Sequence, residues 1–76
     1  MFKIIIEEEF NSDMVGKWFV GYDKINDKPL FTTNEEEAGI FVADFEADNA
    51  LYGNLMALVD RFGYKGTPIL INKNNV

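Results

Sequence analysis

The chain has no cysteine and no histidine. The first absence removes the disulfide-stapled secreted class, and the two together remove the thiolate and imidazole ligands of structural zinc sites. Without histidine, no side chain titrates near neutral pH unaided. Ser12, the only serine, therefore has no imidazole to activate it as a nucleophile. No apolar run approaches the roughly 18 residues of a membrane span. Ile4-Ile5-Ile6 ends at once in Glu7-Glu8-Glu9, too short a run for the apolar part of a signal peptide. These absences lead us to expect a cytoplasmic chain that engages no membrane, is not an enzyme, and carries no cofactor or metal.

What is present must hold the fold together by packing. Seventy-six residues make a single domain, 1–76, and a chain of this size buries only about 60–65% of the surface that its unfolded form exposes. Seven Phe, three Tyr and one Trp supply large side chains that bury roughly 150–250 Å² each when interior. A homodimer is the other available source of stability.

Charge is unevenly placed. The net charge is −6, and ten of the thirteen acids fall in residues 1–16 and 34–50, with Lys3 the only base inside either stretch. Such a balance repels a phosphate backbone, so direct nucleic-acid binding is not expected. It suits a protein partner with a basic surface.

Periodicity predicts the elements. In the first strand, Phe2 to Glu9, Phe2, Ile4 and Ile6 share one face. Asn11-Ser12-Asp13 reads as a turn. Lys17 to Tyr22 follows as a strand with Trp18, Val20 and Tyr22 on one face and Phe19 on the other. A polar connection over residues 23–29 leads to a short third strand, Leu30 to Thr32. Thr33 with Glu36, or Asn34 with Glu37, has capping-box spacing, and Gly39 limits the helix that follows to a turn or two. Ile40-Phe41-Val42 reads as a short buried strand. Asp44 is placed to cap a long helix, Phe45 to Phe62, whose core stripe is Leu51, Leu55, Leu58 and Phe62, widened by Ala47 and Val59. Gly63 stops it. Gly66-Thr67-Pro68 reads as a turn, Ile69-Leu70-Ile71 as a buried last strand, and Asn72 to Val76 as a fraying tail. The expected fold is α+β: a small antiparallel or mixed sheet of four or five strands, one long helix on one face, and a short helical turn.

No motif points to chemistry. Asp44, Glu46 and Asp48 match the first ligand places of a calcium loop, but Asn49 stands where its glycine belongs and Leu55 where its last glutamate belongs. First-turn acids complementing a helix dipole explain them better. Acids in runs usually form a solvated face, whereas acid–base catalysis needs two carboxyls in divergent environments. Gly63-Tyr64-Lys65-Gly66 has the GxxG spacing of an RNA-binding loop, yet it follows a helix and precedes a strand in an acidic chain. The aromatic run Trp18-Phe19-Val20-Gly21-Tyr22 suits base stacking less well than core filling. On the outer side of the long helix, Tyr52 and Met56 stand four residues apart beside Gly53. Glycine inside a helix costs about 1 kcal/mol relative to Ala, a cost that a close-packed partner would explain. Simple burial of Tyr52 under the sheet is the competing explanation.

Trp18-Phe19-Val20-Gly21-Tyr22, Leu30-Phe31-Thr32-Thr33, Glu37-Ala38-x-x-Phe41 and Phe45-Glu46-Ala47 form an ordered series. It resembles a pattern in small uncharacterised proteins encoded by phages and prophages of Gram-positive bacteria. The resemblance covers under half of the chain. It implies a hairpin followed by a helix, a mobile-element origin, and an accessory protein that binds and modulates host or defence machinery. It brings no catalytic residues. The residues expected to contact a partner are Glu35, Glu36, Glu37, Asp44, Glu46 and Asp48, with Tyr52 and Met56 as apolar anchors. The alternative is a self-assembling structural or scaffold protein, homodimeric through a strand edge or the Tyr52–Met56 helix face.

Overall fold

Four strands form an antiparallel sheet: β1 (Phe2–Glu8), β2 (Trp18–Asp23), β3 (Lys28–Thr32) and β4 (Lys65–Leu70), in the spatial order β3-β2-β1-β4. Among the described residues one α-helix, α1 (Leu51–Ala57), continues as a π-helical turn, Leu58–Phe62. This is the α+β architecture that the periodicity predicts. The computed structural model describes residues 1–8 and 13–71. The expected turn at residues 11–13 falls partly outside the described residues, and the expected tail at residues 72–76 lies wholly outside them.

Strand β1 organises the core because its alternation is clean. Ile4 and Ile6 are 0% and 1% exposed, and they join Phe19, Phe41, Leu51 and Leu58 in one cluster. Phe19 is its hub. Its ring stacks on Phe41 at 5.4 Å and meets Tyr22 edge-on at 5.1 Å. Phe31 lies 6.1 Å away on the neighbouring strand. Aromatic packing thus supplies what a disulfide or a metal supplies in other small domains.

The second strand corrects the expected faces. Phe19 and Tyr22, three residues apart, both pack inward, which simple alternation forbids. The β2–β3 register shifts between Phe19 and Gly21, a bulge that turns Tyr22 onto the core side. Gly21 sits there at φ 156°, a backbone conformation rare for residues with a side chain.

Strands β1 and β2 pair closely only at Ile5 and Trp18. Residues 39–41 enter the gap that opens beyond. Gly39 donates its amide to the Phe19 carbonyl at 3.0 Å, and Phe41 exchanges two 2.8 Å hydrogen bonds with Phe2. The expected strand Ile40-Phe41-Val42 is therefore reduced to two isolated bridges, Phe2 with Phe41 and Val42 with Ala50, although Phe41 is buried as expected. A Cβ on Gly39 would collide with the Val20 carbonyl oxygen, so the passage requires glycine.

The same segment delays the helix. Val42 donates to the Asn49 carbonyl at 3.0 Å, and its own carbonyl takes the Leu51 amide at 2.7 Å. In a helix running from Phe45, that amide would bond within the helix instead. The bridge wins, so α1 begins at Leu51 rather than Phe45, and Asp44 is not its cap. Ala50 holds the cap position with no side-chain hydrogen bond. The C-terminal end follows expectation: Gly63 adopts φ 77° and gives its amide to Leu58 and Val59.

Strand β4 overturns two further expectations. Gly66-Thr67-Pro68 is not a turn but the heart of the strand, paired with Ile6, Ile5 and Ile4. Nor is the Ile69-Leu70 end buried on both sides, since these residues are 38% and 71% exposed. The helix reaches β4 near Gly66, where a Cβ would lie 2.5 Å from Ile4 Cγ2 and 3.2 Å from Leu55 Cδ2. It stops short of Leu70, which is therefore uncovered.

Both prolines lie in the edge strands, Pro29 in β3 and Pro68 in β4. Phe2 and Ile6 turn their backbone groups toward the β2 side of β1, bonding Phe41 and, for Ile6, Lys17 and Gly16. By antiparallel alternation, Ile4 does the same, so its partner Pro68 need give it no donor. Pro68 then interrupts the free outer edge of β4, and Pro29 does the same for β3.

Candidate protein-binding surface

The acids of residues 34–50 divide between two places. After β3 the chain makes a 3-10 turn, Glu35–Glu37, capped by Asn34, whose Oδ1 accepts the Glu36 amide at 3.0 Å. The reciprocal half of a capping box is missing, because the Glu37 carboxylate accepts from the Thr32 hydroxyl at 3.0 Å instead. Lys3 donates to the Glu35 carbonyl at 2.9 Å and lies 3.5 Å from its carboxylate. Lys3 alternates with Ile4, so it belongs to the sheet face away from α1, and the 3-10 turn crosses that face. Two of the three glutamates there are engaged by their own chain. Glu36 is exposed.

Asp44, Glu46 and Asp48 lie on the approach to α1, and all three are exposed. Asp44 Oδ1 accepts the Glu46 amide at 3.0 Å, and the Ala47 amide reaches the Asp44 carbonyl at 3.3 Å. The aspartate therefore closes a local turn. That turn leaves Phe45 outside the helix, 78% exposed, with its ring stacked on Tyr52 at 5.9 Å and 25°.

Tyr52 and Met56, the expected anchors, are 49% and 64% exposed, which removes burial under the sheet as the explanation of Tyr52. Val59 is 50% exposed, against its expected place in the core stripe. It stands seven residues after Tyr52 and three after Met56, so it extends the outer row instead. Phe45 and Val59 are thus the members of this surface that sequence reasoning missed. The spacing of Val59 from Met56 was a usable signal. That of Phe45 was not, because its exposure depends on where α1 starts. A Cβ on Gly53 would meet nothing nearer than the Ala50 Cβ at 3.9 Å, so none of the described residues demands a glycine there.

Along the sequence the charge is one-sided. Residues 29–60 carry seven acids and no base, against six acids and seven bases in the rest of the chain. Arg61, the next base, is bound through Nη2 to both oxygens of Asp27, at 2.8 and 2.7 Å, with its guanidinium 5.0 Å from the Phe62 ring. It is held toward the β2–β3 hairpin and leaves Asp60 uncompensated along the helix.

Two shallow grooves lie among the described residues. One, of about 610 Å³, runs past Met14, Lys17, Lys28 and Tyr64, and no carboxylate lines it. The other, of about 450 Å³, lies between β2 and residues 39–41, with Asp48 its only acid. Neither brings two carboxylates together. The Tyr22 hydroxyl is shielded from solvent without a hydrogen-bond partner, and burial raises the phenol pKa while nearby Arg61 opposes the rise. Among the described residues no group of three or more Asp or Glu side chains is placed to hold a metal ion, and no helix is long and apolar enough to cross a membrane. Compared with protein families, curated proteins and solved structures, the chain matches none.

Proposed function

We propose that the chain is a non-enzymatic accessory protein, of the phage or prophage kind that its sequence pattern resembles. In this reading it works in the cytoplasm by binding and modulating a host or defence protein through its acidic surface. One observation carries the reading: exposed Phe45, Tyr52, Met56 and Val59 lie within a 32-residue stretch, 29–60, that has seven acids and no base. Exposed aromatic and methionine side chains favour contact, and a one-signed field steers a partner of opposite sign.

The test is capture from host lysate with the tagged chain, beside a variant carrying Glu35→Lys, Glu36→Lys and Glu37→Lys. The captured partner should associate more slowly as salt rises and more slowly with the charge-reversed variant. An association rate indifferent to both would sink the reading.

The exposed helix row also favours the second reading, a homodimeric scaffold. A two-fold contact through that row sets the same acids against each other, which opposes it in dilute salt. Light scattering separates the two readings, since a strict monomer at high concentration excludes the scaffold.

A further inference from the structure

We infer that the outer row of α1 docks a basic amphipathic helix of the partner. This inference rests on the binding role proposed above and names the partner element. Strand addition is opposed on both sides of the sheet, because Pro29 and Pro68 each interrupt a free edge. What remains exposed and apolar in a row is Tyr52, Met56 and Val59, at helical spacing, extended by Phe45 stacked on Tyr52. From Tyr52 to Val59 the row runs about 10 Å at the usual helical rise, two turns of a partner helix. Aromatic anchors and one adaptable methionine are the side chains such a groove-and-ridge contact favours.

Charge selects the occupant. Asp44, Glu46 and Asp48 lie at the N-terminal end of the row and Asp60 near its other end; Lys24 shares a groove with Asp48, and Arg61 follows Asp60 but is bound to Asp27, so acids outnumber bases around the row. A second copy of the chain would meet acid with acid. A helix with apolar residues at i, i+4 and i+7 and Lys or Arg beside them satisfies both the row and its rim.

Titration of the full chain with three synthetic peptides tests this, read by amide chemical shifts and by affinity at low and high salt. The first places leucine at helical spacing with lysine elsewhere. The second replaces lysine by glutamate. The third has the composition of the first in strict alternation, the strand period. The first should bind, with shifts centred on Phe45, Tyr52, Met56 and Val59, and weaken as salt rises. Tyr52→Ser and Met56→Ser should each weaken it about tenfold or more while leaving the thermal midpoint unchanged. Val59→Ser replaces either variant that fails to fold. Equal binding of the glutamate peptide overturns the charge argument. Equal binding of the alternating peptide overturns the helical mode, and unchanged affinity in the serine variants removes the row as the site. Failure of the first peptide to bind also overturns the inference. The triple lysine variant at 35–37 keeps the two readings apart, since it should still bind the helical peptide. Should that peptide fail while the variant still loses the captured partner, the acidic-surface reading stands and only the helical docking falls.

Discussion

The two sides of α1 and its π-helical turn are both apolar, but they have opposite fates. Leu51 and Leu58 are 1% and 0% exposed against the sheet, while Tyr52, Met56 and Val59 on the other side are 49%, 64% and 50% exposed. The inner side is covered because β1 and β2 present Ile4, Ile6 and Phe19 to it. The outer side faces away from the sheet, and none of the described residues closes over it. A helix that is apolar on two sides has two faces to cover, and among the described residues only the inner one is covered. The inner side is therefore covered and the outer side exposed, a division that substitutions at each side can test.

The largest effect belongs to the inner side. Phe19→Ala should cost about 3–5 kcal/mol, most of the stability of a small domain, and denaturant titration should find the variant largely unfolded. Tyr52→Ser should stay within about 0.5 kcal/mol in the same experiment. Comparable losses at the two positions would abolish the distinction between the sides. Gly39→Ala comes next, at about 2 kcal/mol or more, because its Cβ meets the Val20 carbonyl and the Phe41 ring.

Smaller effects carry the opposite sign. Tyr22→Phe removes a shielded hydroxyl that has no partner, and it should stabilise by about 1 kcal/mol. The pH profile gives a second readout. Burial lifts the Tyr22 pKa above its ordinary 10.0, so the folded chain holds the phenolic proton more tightly than the unfolded chain. That contribution is complete below pH 10.0 and is lost as pH rises through the folded pKa. Wild-type stability should fall in that alkaline range by more than the Phe variant's does. Gly53→Ala should stabilise by about 0.5 kcal/mol, since the added methyl group meets only open space and the Ala50 Cβ. A loss instead would mean that the outer side of α1 is more crowded than the inner comparison implies.

Much of the fold was legible because its signals are local. The alternation of Phe2, Ile4 and Ile6 placed β1 and its inward face, and the polar stretch after Tyr22 placed the β2–β3 hairpin. There Asp23 accepts the Ile25 and Asn26 amides and the Asn26 side chain, whose hydrogen bond is the main reason its carboxyl pKa lies below the ordinary range. The Gly63 stop is equally local. Among the candidate contact residues, the spacing of Tyr52 and Met56 put them on the outer side of α1. The acid run at 35–37 was legible as a helical turn, though not its division from Asp44, Glu46 and Asp48 by the crossing of the sheet. On the far face Lys3 meets Glu35 from 32 residues away, a contact that local pattern does not reveal.

By itself the sequence determined the α+β class, the inward row of β1, the hairpin, the end of the helix and the one-signed charge of residues 34–50. Each follows from residue type and from spacing within a few positions. Tertiary structure alone decided where α1 starts, which way Tyr22 faces, that Gly66-Thr67-Pro68 is a strand, and that Phe45 and Val59 are exposed along with Tyr52 and Met56. These depend on backbone hydrogen bonds between distant segments, Val42 with Leu51, β2 with β3 across a bulge, and β1 with β4. A backbone amide is the same group in almost every residue, so local pattern does not reveal which distant carbonyl it will bond. At Leu51 that choice set the boundary between a long helix and a shorter one with an exposed aromatic pair at its entrance.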